Sequence, residues 1–196
     1  MLTWLWIGII AIVFIGGFIL IQQRQALPAK RQQQALPPLQ RNIFTLQIGD
    51  IVQYEGADWV VEGRLTFDDN GYTWLEYMLQ DGDHIRWLSV EEDDRVEVFW
   101  METVTTLDIS NKPPAQITHN HITYNQVERG NARMNRIGTT MNKQGQVCLY
   151  YDYAATNDQV LSVENWNGDM EVSVGRRIRP SSLILLPGDG RRVYDD

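Results

Sequence analysis

Trp59-Val60-Val61-Glu62-Gly63-Arg64-Leu65-Thr66-Phe67, then Asp68-Asp69-Asn70-Gly71, then Tyr72-Thr73-Trp74-Leu75-Glu76-Tyr77, is the stretch whose reading decides the fold. β-Branched and aromatic residues crowd both flanks, as they do in strands. Asn-Gly between them supplies the positive φ that a tight hairpin turn needs. The same grammar recurs on either side. Arg95-Val96-Glu97-Val98-Phe99-Trp100 and Met170-Glu171-Val172-Ser173-Val174 alternate polar with apolar residues. Asp81-Gly82-Asp83, Lys143-Gln144-Gly145 and Asn167-Gly168-Asp169 supply further turns. Helical periodicity is nearly absent after the linker at 22–42, so no crossover helices are visible for a doubly wound sheet. The spacing predicts roughly ten strands in an antiparallel meander that closes into a barrel or folds into a sandwich.

The chain also echoes itself. Leu88-Ser89-Val90-Glu91 returns as Leu161-Ser162-Val163-Glu164. Each copy follows an acidic-aromatic strand, Trp74-Leu75-Glu76-Tyr77 or Tyr151-Asp152-Tyr153, and precedes a turn and another alternating strand. Two pseudo-repeated halves, 43–110 and 111–187, are therefore expected within one domain.

These blocks, together with Leu46-x-Ile48-Gly49-Asp50-Ile51-Val52 ahead of them and Asn165-Trp166 behind them, resemble the bacterial domain-of-unknown-function family 4178. The resemblance spans about residues 45–187. It implies a β-rich module, sometimes membrane-tethered, and it carries no activity and no catalytic residue to transfer.

Charge and hydropathy divide the chain into three parts. Met1 to Ile21 is an apolar run without a charged side chain. About 20 apolar residues cross a bilayer as a helix, so residues 2–21 are expected to span the lipid bilayer. Arg24, Lys30, Arg31 and Arg41 follow the run and no cation precedes it. Basic flanks stay in the cytoplasm. A single-pass plasma-membrane protein follows, with its N-terminus outside and its C-terminal domain cytoplasmic. Residues 22–42, rich in Gln, Pro and basic side chains, read as a linker. All 25 carboxylates lie in residues 43–196, the expected domain. They concentrate before residue 111, where only Arg64, Arg86 and Arg95 oppose them. An acidic domain of this kind excludes nucleic acid, which needs clustered cations, and permits a basic protein partner. The run Glu91-Glu92-Asp93-Asp94 is the candidate interaction surface. The sequence leaves the oligomeric state open.

No constellation demands chemistry, so no catalytic residue, cofactor or metal is assigned. His119-Asn120-His121 has two imidazoles on one strand face but no third ligand at metal spacing. Asp68-Asp69-Asn70-Gly71 fails as a calcium loop, because Thr66 and Tyr77 stand where acids are required. Glu76 and Glu91 have Asp152 and Glu164 in the matching places of the second half, which points to structural hydrogen bonds. Cys148, in Val147-Cys148-Leu149-Tyr150, reads as core. Trp59, Trp74, Trp87, Trp100 and Trp166 read as core anchors, with an aromatic-lined barrel cavity as the alternative. The expected function is a non-enzymatic binding or scaffolding module at the membrane. A small-ligand sensor using a barrel cavity is the alternative, and a carboxylate-dependent enzyme comes after it.

Overall fold

In the computed structural model, residues 41–140 and 146–194 are described. Eleven strands follow one another: β1 (Ile51–Tyr54), β2 (Ala57–Asp69), β3 (Tyr72–Asp81), β4 (His84–Glu92), β5 (Val96–Thr103), β6 (Gln116–His119), β7 (Ile122–Gly138), β8 (Val147–Ala154), β9 (Gln159–Trp166), β10 (Asp169–Ile178) and β11 (Ile184–Leu186). One 3-10 turn, Pro180–Ser182, is the only helical element among the described residues. No helix among them is long and apolar enough to cross a membrane. The expected span at 2–21 and nearly all of the linker at 22–42 lie outside the described residues.

The sheet closes on itself, so of the two expected architectures the chain adopts the barrel. Its ring runs β2-β3-β4-β5-β10-β9-β8-β7 and returns to β2, every pairing antiparallel. It is not one continuous meander. Two meanders, β1 to β5 and β6 to β10, meet along two seams, β5 with β10 and β7 with β2. β2 and β7 are long because each serves two partners along one edge. Ala57 to Val60 pair with β1, while Gly63 to Asp68 pair with β7. Likewise Ile122 to Asn125 pair with β6, while Arg133 to Gly138 pair with β2.

Turn chemistry sets the hairpins. Asn70 (φ 54°) with Gly71 and Asn167 (φ 57°) with Gly168 take left-handed backbone at the β2–β3 and β9–β10 corners. His119-Asn120-His121 is such a corner too: Asn120 and His121 have φ of 48° and 65°, and Asn120 shares a hydrogen bond with the His119 ring at 3.0 Å. Lys143-Gln144-Gly145 lies outside the described residues.

The ring is apolar on both of its faces, unlike a barrel with a plain solvated exterior. Outside the first half, Leu88, Val90, Val98 and Tyr77 pack under Leu46, Val52 and Leu183. Outside the second half, Leu161, Val163 and Val172 pack under Ile117 and Tyr124, with Leu107 and Ile109 against them. Inside, Leu65, Phe67, Trp74, Met78, Trp87, Met134, Cys148 and Trp166 form a third cluster. Trp59, Trp74, Trp87 and Trp166 are all buried, and Cys148 is a fully buried thiol.

Two buried carboxylates fasten the ends of the domain to this frame. Asp50 accepts from the backbone N–H of Gln47 and Gly188 and pairs with Arg41 at 2.5 Å. Glu62, at a bulge in β2, takes Arg192 Nε at 2.9 Å and the backbone N–H groups of Val193 and Tyr194. Arg41 therefore serves the domain, although its sequence context places it among the linker cations.

Candidate functional site

The period of a strand decides what faces the lumen, since alternate side chains leave on opposite faces. In β4, Trp87, Ser89 and Glu91 line a cavity inside the barrel, while Leu88 and Val90 turn to the covered exterior. In β9, Ser162 and Glu164 line the same cavity, while Leu161 and Val163 pack with the outer cluster. The echoed tetrapeptide thus delivers a serine and a glutamate to the lumen from each half. Neighbouring strands repeat the correspondence. Glu76 stands opposite Ser89, and Asp152 stands opposite Ser162. Glu91 stands opposite Glu97, and Glu164 stands opposite Glu171.

The cavity is partly enclosed and has a volume of about 180 Å³. Trp74, Trp87, Phe99, Tyr72 and Tyr150 form its apolar wall. Six carboxylates reach it: Glu76, Glu91, Glu97, Glu128, Asp152 and Glu164. Among the described residues Arg177 is the one cation in its lining, and it lies 3.3 Å from Glu97. Val127, 67% exposed, sits at its rim, where a bulge in β7 interrupts the pairing with β8. Bulges at barrel rims re-aim side chains, and this one precedes Glu128.

Hydrogen bonds hold part of this set. Ser162 donates to Asp152 at 2.7 Å, across the β8–β9 pair. The Trp166 indole donates to Glu164 at 3.1 Å. Among the described residues Glu91 has long contacts, from the Tyr72 hydroxyl and from Ser89, both at 3.5 Å. Tyr150 places its hydroxyl 3.0 Å from Asp69 and 3.4 Å from Glu128. Gly130 makes that placement possible, because a Cβ there would lie 2.4 Å from the Tyr150 hydroxyl.

Burial in a like-charged lumen moves protons onto Glu91 and Asp152. Burial first, and then the carboxylates of Asp152, Glu76, Glu97 and Glu128, push Glu91 up to about 8. Burial pushes Asp152 up to about 7, with Glu164 and Glu128 adding to the effect and the Ser162 hydrogen bond opposing it. Tyr72 rises to about 12, mainly through burial and then through Glu91. Near neutral pH Glu91 and Asp152 therefore exchange between carboxylic acid and carboxylate. The lumen can accept hydrogen bonds from a cation and donate one from Glu91.

The acidic run divides in the structure. Glu91 faces the lumen, whereas Glu92, Asp93 and Asp94 lie exposed at the β4–β5 corner. The run is therefore one lumen residue and three surface residues. Glu97, Glu128, Tyr150 and Arg177 were not singled out by the sequence. The signal for some of them was present: Trp87-x-Ser89-x-Glu91, Glu97-x-Phe99 and Tyr150-x-Asp152 each put polar and aromatic residues on one parity of a strand. No group of three His, Cys, Asp or Glu among the described residues is arranged to hold a metal ion.

Residues 47–180 match the family described as "Domain of unknown function (DUF4178)". The chain belongs to this family. It is 34% identical over 148 residues to the uncharacterized protein Rv2597 of Mycobacterium tuberculosis (strain H37Rv), covering 71% of this chain and 70% of that protein. The uncharacterized protein Mb2628 of Mycobacterium bovis matches with the same identity and coverage. No solved structure matches. The DUF4178 match takes in the strands that carry the lumen carboxylates, from Glu76 to Glu164.

Proposed function

We propose that this DUF4178 domain is a small-molecule binding module whose site is the barrel lumen. One observation carries the reading: a partly enclosed cavity with an aromatic wall and convergent polar groups, the usual form of a ligand site. An apolar cavity of about 150 Å³ admits a molecule the size of benzene, so this one suits a ligand of about that size or smaller. The domain is read as a binder and not a catalyst. Its two halves are read as repeats that each contribute one set of carboxylates to a shared lumen. The apolar run at 2–21 supports a membrane tether, and the cations after it support a cytoplasmic domain. Glu92, Asp93 and Asp94 remain free on the surface for a basic protein partner, which makes the module a sensor that couples ligand to partner.

Ligand-observed NMR on the full chain in nonionic detergent tests the lumen reading. The probe panel contains neutral, cationic and anionic organic molecules of four to six heavy atoms. Some members are expected to show saturation transfer that disappears in Ser162→Phe and Ser173→Phe, two variants that fill the cavity from paired positions. Absence of transfer from every probe at millimolar concentration, or transfer that survives in both folded variants, contradicts the reading.

A further inference from the structure

The lumen is unusual in its charge. Six carboxylates face one another across a small cavity, and Arg177 is already committed to Glu97. Like charges held close together in a partly enclosed cavity repel one another. An anionic ligand would add to that repulsion, whereas a cationic one would offset it. A metal ion needs at least three ligands converging at one point, and the described carboxylates do not converge so. They are spread along β3, β4, β5, β7, β8 and β9. What suits them is an organic ammonium group, whose N–H donors reach carboxylate oxygens at about 2.7–2.9 Å, farther out than a metal ion holds its ligands at about 2.0–2.6 Å. The aromatic faces beside them point the same way, since Trp and Tyr rings attract cations and pack against methylene groups.

We infer that the lumen takes an organic ammonium ion, a small aliphatic amine held by Glu91, Asp152 and Glu164 against the rings of Trp74 and Trp87. This rests on the lumen being a ligand site. Protons and an ammonium ion are alternative ways to offset the charge of these acids. Glu91 is faced by Glu76 and Tyr72 from β3, Glu97 from β5, Glu128 from β7 and Asp152 from β8. Asp152 is faced by Glu128 and by Glu164 with Ser162 from β9. Burial and the neighbouring carboxylates hold protons on both acids near neutral pH, against the opposing Ser162 hydrogen bond at Asp152. An ammonium ion entering the site favours the ionised forms and expels those protons. Binding therefore releases protons and tightens as pH rises through 7 and 8, while an aliphatic amine stays charged.

Isothermal titration of the full chain with n-butylammonium chloride, 1-butanol and sodium butanoate tests the inference. n-Butylammonium is expected to bind at least tenfold more tightly than 1-butanol, and butanoate not at all. Its affinity should rise several-fold between pH 6 and pH 8.5, and paired buffers of different ionisation enthalpy should report proton release. Glu91→Gln, which keeps the side-chain shape, should weaken n-butylammonium about tenfold and reduce the released protons while melting cooperatively. Equal or tighter binding of 1-butanol overturns the ammonium assignment and leaves the lumen reading standing. So does displacement of n-butylammonium by micromolar Ca²⁺, Mg²⁺ or Zn²⁺. n-Butylammonium binding that survives in folded Ser162→Phe puts the cation outside the barrel and overturns the inference. Failure of all three ligands here, together with silence across the NMR panel, removes both readings.

Discussion

Trp87 shows how a single side chain serves fold and site together. It is 2% exposed, it packs in the interior cluster, and it also lines the cavity. Truncating a buried aromatic costs about 3–5 kcal/mol, and each kcal/mol lowers the midpoint of a domain this size by about 2–4 °C. Trp87→Ala should therefore lower the thermal midpoint by about 10 °C in a calorimetric scan. Glu92→Ala, three positions beyond the cavity-lining Ser89 and exposed, should shift it by less than about 2 °C. Arg41 sets a different expectation. Its guanidinium and the Asp50 carboxylate are both shielded, with side-chain exposures of 6% and 1%. Removing one member of a buried pair strands the other charge, at about 3–5 kcal/mol. Arg41→Met should lower urea-unfolding stability by that order, and a fragment beginning at residue 43 should be weaker than one beginning at residue 40.

The echoed blocks show which elements were legible in the sequence and which were not. Leu88-Ser89-Val90-Glu91 and its copy identified two strands, and the Asn-Gly pairs identified two hairpin corners, because both signals are local. The parity of those strands was equally visible. Its meaning was not, since Ser and Glu on one face ordinarily mark the solvent side. Here the apolar face is turned outward and covered by Leu46, Leu183, Ile117 and Tyr124, which are remote in sequence. The seams were hidden for the same reason: β5 meets β10 and β2 meets β7 only after the chain has nearly been traversed. At the β5–β10 seam, the backbone of Gly175 runs so close to β5 that a Cβ would lie 2.0 Å from the Trp100 carbonyl oxygen. Gly175→Ala should force the two strands apart. Overpacking of this kind costs about 1–3 kcal/mol, measurable as a lower urea midpoint with an unchanged slope.

At the scale of the molecule, an acidic interior has a pH signature. Glu91 and Asp152 bind protons more tightly in the fold than their ordinary values of 4.5 and 3.8 allow. A raised carboxyl pKa stabilises the fold fully below the ordinary value, and that stability is lost as pH rises through the folded value. The loss from these two groups falls between about pH 4 and 8, at up to about 1.4 kcal/mol per pH unit for each. The urea-unfolding free energy of the full chain should accordingly decline from pH 5 to pH 8, and Glu91→Gln should flatten that decline. The N-terminal run bears on the whole molecule as well. A reporter that is active only in the cytoplasm, fused after Asp196, should be active, and activity of an extracytoplasmic reporter alone would reverse the topology.

The most direct test is the titration of the Glu91 carboxyl itself, followed by carbon-13 NMR in the full chain with Glu91→Gln as the assignment control. A midpoint near 8 is expected in the free protein, with a clear downward move when n-butylammonium is added. A midpoint at the ordinary carboxylate value, or one that the amine leaves unchanged at saturating concentration, would contradict the ammonium assignment.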